Sequence, residues 1–283
     1  MINLIGEVCS NHNRSLKRCF KFIDLCKAMN FQAVKFQLFK IDKLFHSSVL
    51  KRSKMHRDRK KWELPTSFLP KIHKYCKKKK IKFGCTPFYL EAVELLKPYV
   101  DFYKIASYEL LWDELLIRCA KTKKPVIIST GMANYSEVKK AIKILKKNNC
   151  KKIIVMHCVS SYPAKLEHCN LNSIKYLSKK LNLEIGWSDH TKNPMLINEI
   201  IDNFDVNTIE IHIDLDGNGF EANKGHCWMP NDLSLLKDFL SNKKKIYGNY
   251  KKNFSKAETI ERLHRSDPSD GLRPLKKIRK IKI

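Results

Sequence analysis

Short apolar runs alternate along the chain with longer stretches in which apolar residues recur every three or four positions. The short runs are Asn3–Val8, Ala33–Gln37, Ile81–Cys85, Phe102–Ile105, Val126–Ser129, Ile153–His157, Leu183–Trp187 and Thr208–Ile213, and each predicts a strand. Helical spacing covers Leu16–Met29, Ser67–Cys76, Leu90–Leu96, Leu110–Ala120, Tyr135–Lys147, Leu171–Leu181, Pro194–Phe204 and Asn231–Lys243. Eight strand–helix units in succession imply a parallel α/β sheet, and eight is the number that closes into a (β/α)8 TIM barrel. An open doubly wound sheet would stop at about five or six strands and favour a glycine-rich first turn, which GEVCSN lacks. The charged stretch Leu38–Leu64 reads as a loop with a short helix. With no Gly/Ser-rich linker in view, residues 1–256 are expected to form the barrel and residues 257–283 an extended basic tail.

The chain length of 283 residues suits one barrel, which typically takes about 250. No apolar run approaches the roughly 20 residues that span a bilayer, and MINLIGEVCSNHN lacks the basic-then-apolar order of a signal peptide. A cytoplasmic protein without a membrane partner is the expectation. The ten cysteines are scattered with no CxxC pair, so they read as reduced, buried small hydrophobes rather than disulfides or a zinc ribbon. The net charge of +28 raises nucleic-acid binding as a hypothesis. The lysine clusters, however, fall mostly on polar faces or ends of the helical stretches, as at Lys77–Lys80 and Lys146–Lys147. Solvated helix faces explain them, no nucleic-acid partner is expected, and the field favours anionic substrates.

In such barrels the active site lies at the C-terminal ends of the strands. Those ends carry Glu7; Lys35 and Gln37; Thr86; Lys104, Ser107 and Glu109; Ser129-Thr130-Gly131; His157 with Tyr162 beyond it; Ser188-Asp189-His190; and Glu210 with His212. Any one of them alone reads more readily as a satisfied core or loop polar group; functional groups at all eight ends do not. Two lysines with several hydroxyls and a glycine turn suit a phosphate. His190 and His212, from adjacent strands, either share a divalent ion such as Mn, Fe, Co or Zn or are structural hydrogen-bond partners. Glu7 and Glu109 are acid/base candidates.

The blocks GEVCSNHN, AVKFQ, CTPF, YKIASYE, IISTGM, HCVSSYPA, IGWSDHT and IEIHIDLD, in this order, resemble the N-acetylneuraminate (sialic acid) synthase family, which includes pseudaminate and legionaminate synthases. The resemblance implies a transferase that condenses phosphoenolpyruvate with N-acetylmannosamine or a related 2-acetamido sugar, giving a nine-carbon 2-keto acid and phosphate. It implies His190 and His212 as ligands of a divalent metal, usually Mn²⁺, with Glu7, Glu109 and Lys35 catalytic. Lys35, Thr86, Lys104, Ser107, Ser129 and Ser188 match groups around phosphoenolpyruvate, while Gln37 and Tyr162 match groups near the sugar. Ser160 stands where many members carry Asn, and Asn223 falls near a sugar-contacting Asp, with Glu221 as its alternative. The C-terminal antifreeze-like domain is expected to be absent, which leaves Arg265 or Arg273 as candidates for the arginine it donates. A homodimer is a further expectation. Two alternatives stay open: another phosphoenolpyruvate-dependent 3-deoxy-ulosonate synthase, whose metal-dependent members add a Cys ligand, and a non-catalytic basic barrel that binds nucleic acid.

Overall fold

A computed structural model describes residues 2–247 and 253–279. Eight strands close into a barrel in chain order: β1 (Asn3–Glu7), β2 (Ala33–Leu38), β3 (Lys82–Pro87), β4 (Phe102–Ile105), β5 (Val126–Ser129), β6 (Ile153–His157), β7 (Glu184–Asp189) and β8 (Thr208–His212). Every pairing is parallel, including β1 with β8. The helices are α1 (Leu16–Ala28), α2 (Ile41–Leu44), α3 (Ser47–Arg52), α4 (Lys54–Asp58), α5 (Leu69–Lys79), α6 (Leu90–Leu96), α7 (Asp113–Lys121), α8 (Tyr135–Lys147), α9 (Asn172–Leu181), α10 (Pro194–Asn203) and α11 (Pro230–Tyr247). The stretch expected as a loop with one short helix holds three, α2 to α4, followed by a 3-10 turn at Arg59–Trp62.

The helices form where one apolar stripe meets a good cap. In α8, Asn134 and Glu137 make a reciprocal capping box, and Val138, Ala141, Ile142 and Leu145 form the buried face. Helix α7 begins at Asp113 rather than Leu110, because a 3-10 turn at Ser107–Glu109 comes first.

Strand alternation decides what fills the barrel. Ile5, Ala33, Phe102, Ile127, Ile154 and Met156 make an apolar cluster inside it. Two residues further along the same faces, where side chains return to the same side, stand Glu7, Lys35, Lys104 and Ser129. Register aligns the upper layer: Glu7 lies opposite both Lys35 and His212, Gln37 opposite Thr86, and Ser188 opposite Glu210. A dry floor therefore carries a charged ceiling.

Gly84 leaves the space that the Phe102 ring occupies, and a methyl group there would overlap the ring. Gly84→Ala is expected to lower unfolding free energy by about 1–3 kcal/mol, as over-packing does. An unchanged denaturation midpoint would show that Phe102 can move aside.

All ten cysteines are buried and unpaired. No helix among the described residues is long and apolar enough to cross a membrane. The chain divides into two compact units, Met1–Lys237 and Asp238–Ile283. Within the second, the stretch expected to be extended contains 3-10 turns at Lys256–Glu258, Glu261–His264 and Lys276–Ile278. The end of the expected tail, 280–283, lies outside the described residues.

Candidate active site

The first cluster joins β1, β2 and β3. Lys35 Nζ sits 2.6 Å from Glu7 Oε2 and donates to Thr86 Oγ1 at 3.1 Å. Gln37 Nε2 and Cys9 Sγ both donate to Glu7 Oε1, at 2.7 and 3.1 Å. Burial pushes the Glu7 carboxyl above its ordinary range; Lys35 pulls against that shift and Glu210 adds to it. For Lys35 burial acts downward, but Glu210 and Glu7 outweigh it and hold the ammonium form.

Glu210 connects this cluster to the next. Its Oε1 lies 3.3 Å from Lys104 Nζ and 3.7 Å from Lys35 Nζ, and accepts from Ser188 Oγ at 3.2 Å. Burial would raise its carboxyl, yet Lys104 and Lys35 bring it below the usual value. Lys104 also donates to Ser129 Oγ at 2.6 Å. Two buried lysines thus meet on one carboxylate oxygen, with a hydroxyl at each amine. Glu109 is different: burial pushes it up to about 8, and Lys104 offsets this only partly. It is a neutral acid at pH 7.

Beside these groups, Ser107 Oγ receives the Gly131 N–H at 3.0 Å and touches Cys158 Sγ at 3.3 Å. A side chain at residue 131 would collide with Ser160 Oγ and Ser107 Oγ, so glycine there keeps open a hydroxyl-lined turn.

The third cluster is imidazole. The His190 and His212 rings lie 4.9 Å apart, and a third ring, His226, lies 4.6 Å from His212 and 6.2 Å from His190. Tyr162 packs 4.3 Å from His190 and 5.0 Å from His226. Burial, and then the other two rings, depresses His212 far below its usual value; burial lowers His190 and brings His226 to about 3. All three are neutral at pH 7, the form that ligates metal. His190 Nδ1 is 2.5 Å from the Val159 carbonyl, so it carries the proton and Nε2 keeps its lone pair. Among the described residues no group of three or more His, Cys, Asp and Glu side chains already stands around one ion position. The donor chemistry of His190 and His212 nevertheless fits a divalent cation with open positions for substrate.

Of the residues expected from the sequence, Glu7, Lys35, Gln37, Thr86, Lys104, Glu109, Ser129 and Ser188 fall in the charged clusters or beside them. Ser107 and Ser160 meet at Gly131, and Tyr162, His190 and His212 form the imidazole cluster. Asn223 is exposed, whereas Glu221 is buried with its N–H on the Asn11 carboxamide at 2.8 Å. Sequence reasoning gave no role to Cys9 or His226. Cys9 Sγ lies 3.1 Å from His212 Nδ1, in a left-handed backbone (φ 49°) that side chains rarely adopt. Glu210 stands with His212 on the eighth strand in the sequence, where it was given no role.

The fold and these clusters define a (β/α)8 enzyme-like barrel whose rim combines a buried lysine–carboxylate cluster with neutral imidazoles. Comparison with known proteins makes this specific: the chain belongs to the NeuB family, matched over residues 22–252. An uncharacterized protein of Methanocaldococcus jannaschii is 36% identical over 216 residues, 76% of this chain and 63% of that protein. The chain therefore spans less than two thirds of that relative's length. The N,N'-diacetyllegionaminic acid synthase of Campylobacter jejuni is 31% identical over 268 residues, 90% of this chain and 80% of its own. The crystal structure of N-acetylneuraminic acid (sialic acid) synthetase from Leptospira borgpetersenii, in complex with citrate, is similar with TM-score 0.78 at 29% identity, covering 92% of this chain and 90% of that one.

Proposed function

We propose that this chain condenses phosphoenolpyruvate with N-acetylmannosamine or a related 2-acetamido sugar, releasing phosphate and forming a nine-carbon 2-keto acid, with Mn²⁺ as its ion, in the cytoplasm. The observation that carries the reading is the meeting of Lys35 and Lys104 on Glu210 Oε1, beside a cluster of neutral imidazoles. Family membership and the named synthases among its relatives support it.

In the reaction, C3 of phosphoenolpyruvate bonds to the sugar's aldehyde carbon, water adds at C2, and the C2–oxygen bond to phosphate breaks. Lys35 and Lys104, with Thr86, Ser129 and Ser188, bind the phosphate and carboxylate oxygens as the charge redistributes. Ser107, Ser160 and the Gly131 turn line the same cradle. Gln37 and Tyr162 position the sugar. Glu109, neutral at pH 7, holds a proton to give, and Glu7 is the carboxylate that accepts one from the incoming water. A bound divalent cation at His190 and His212 supplies Lewis acidity for the aldehyde oxygen.

Mass spectrometry of mixtures of phosphoenolpyruvate, Mn²⁺ and a panel of 2-acetamido hexoses tests this. The expected product carries the sugar plus one pyruvate unit, appears with stoichiometric phosphate, and is lost on chelation. Turnover with phosphorylated aldoses alone would instead identify a 3-deoxy-ulosonate synthase. The Cys9 thiol beside His212 favours that second reading, since such enzymes add a Cys ligand.

A further inference from the structure

His226 has no part in the roles above, yet it is wholly buried in the imidazole cluster. The chain on both sides of it is tied back to β8. After it, Trp228 N–H donates to the His212 carbonyl at 2.8 Å, Asp214 N–H donates to the Trp228 carbonyl at 3.0 Å, and Ile213 bridges Trp228 in parallel register. Trp228 Nε1 is further anchored on Asp189 at 2.9 Å. Before it, the Asn11 side chain receives the Glu221 N–H and donates to the Ile213 carbonyl at 3.0 Å. This return holds His226 Nε2 3.2 Å from His212 Nδ1.

A neutral imidazole has one N–H, and the nitrogen left without it is the one that can ligate. His190 settles the choice by donating Nδ1–H to Val159, but among the described residues no carbonyl or carboxylate lies at Nδ1 of His212. The groups at that nitrogen are Cys9 Sγ and His226 Nε2. Sulfur is a weak acceptor, and the Cys9 thiol already donates to Glu7. We propose that His226 is a positioning residue: its Nε2 accepts the Nδ1 proton of His212 and so leaves His212 Nε2 as the nitrogen available to a divalent cation. The proposal rests on the reading of His190 and His212 as a cation pair.

Calorimetric titration of the substrate-free protein with Mn²⁺ tests it, using wild type, His212→Ala, His226→Ala and His226→Gln, each checked for folding by circular dichroism. Removing a partner of this kind weakens metal affinity by about 10–100-fold, and that loss is expected for His226→Ala. In His226→Gln the carboxamide oxygen can accept the same proton, so affinity close to wild type is expected. Wild-type affinity in His226→Ala, or a folded His226→Gln as weak as His226→Ala, overturns the proposal. Should the alanine variant not fold, ¹⁵N shifts of the His212 ring in metal-free wild type decide: a proton on Nδ1 supports the proposal, and one on Nε2 overturns it. A wild type that binds no Mn²⁺, or a His212→Ala that binds as well as wild type, sinks the cation-pair reading itself.

Discussion

Replacing Lys35 by methionine is expected to lower unfolding free energy by about 3–5 kcal/mol at pH 7, the range for removing one partner of a buried ion pair. The side chain is 3% exposed and lies against two carboxylates, Glu7 at 2.6 Å and Glu210 at 3.7 Å. Methionine fills the volume but leaves Glu7 with no cation and Glu210 with Lys104 alone. Glu7 then holds its proton more tightly in the folded chain than in the unfolded one. Such a group destabilises the fold above its unfolded value of 4.5, so the deficit is largest at neutral pH and narrows on acidification. Adding Glu7→Gln to Lys35→Met should recover much of the loss, because the orphaned charge goes too. Denaturant titrations at pH 7 and pH 5 read both effects, and a single variant as stable as wild type at pH 7 would refute the buried pairing. If the proposed reaction is right, kcat/KM falls at least about a hundredfold, as on losing one electrostatic contact to a developing anion.

Glu109 should act in the opposite sense. Its carboxyl is raised by burial from 4.5 to about 8 in the folded chain. The folded state therefore keeps a proton that the unfolded state releases, and stability falls as pH rises from 4.5 through 8, levelling above that. Three to four units correspond to a swing on the order of 5 kcal/mol. Glu109→Gln keeps the neutral shape and removes the titration. The variant should match wild type near pH 4.5 and exceed it in unfolding free energy at pH 9. Parallel stability curves for the two proteins would show that Glu109 is not held as the neutral acid. If the proposed reaction is right, the alkaline limb of the wild-type kcat profile reports loss of that proton and should vanish in the variant along with most of the turnover.

How far the sequence could be read varied with the physics of each element. Strands β4, β5 and β6 have the bounds their short runs predict, with Ser129 and His157 closing the last two. Strands β3 and β7 run two residues further, through Thr86-Pro87 and Ser188-Asp189, since the ladder continues while the side chains turn polar to build the site. An apolarity criterion stops one step short of the chemistry. The lysines, hydroxyls and paired histidines were legible because alternation places strand-end residues on one inner face. His226 and Cys9 were not. The first sits in an irregular return with no period to mark it; the second differs from nine other buried thiols only in backbone angle and neighbours. The surplus of positive charge misleads in the other direction: Lys35 and Lys104 matter to the site through their burial, and a count of lysines cannot report burial.

Glu210 gives the two buried lysines a resident counter-ion. Under the proposed reaction a phosphate would therefore have to displace that carboxylate rather than fall into a bare positive well. Affinity is then set by the difference between two pairings rather than by the full strength of one. The same exchange run backwards, with Glu210 reclaiming its lysines, would then give the departing phosphate of the proposed reaction a route out of the site.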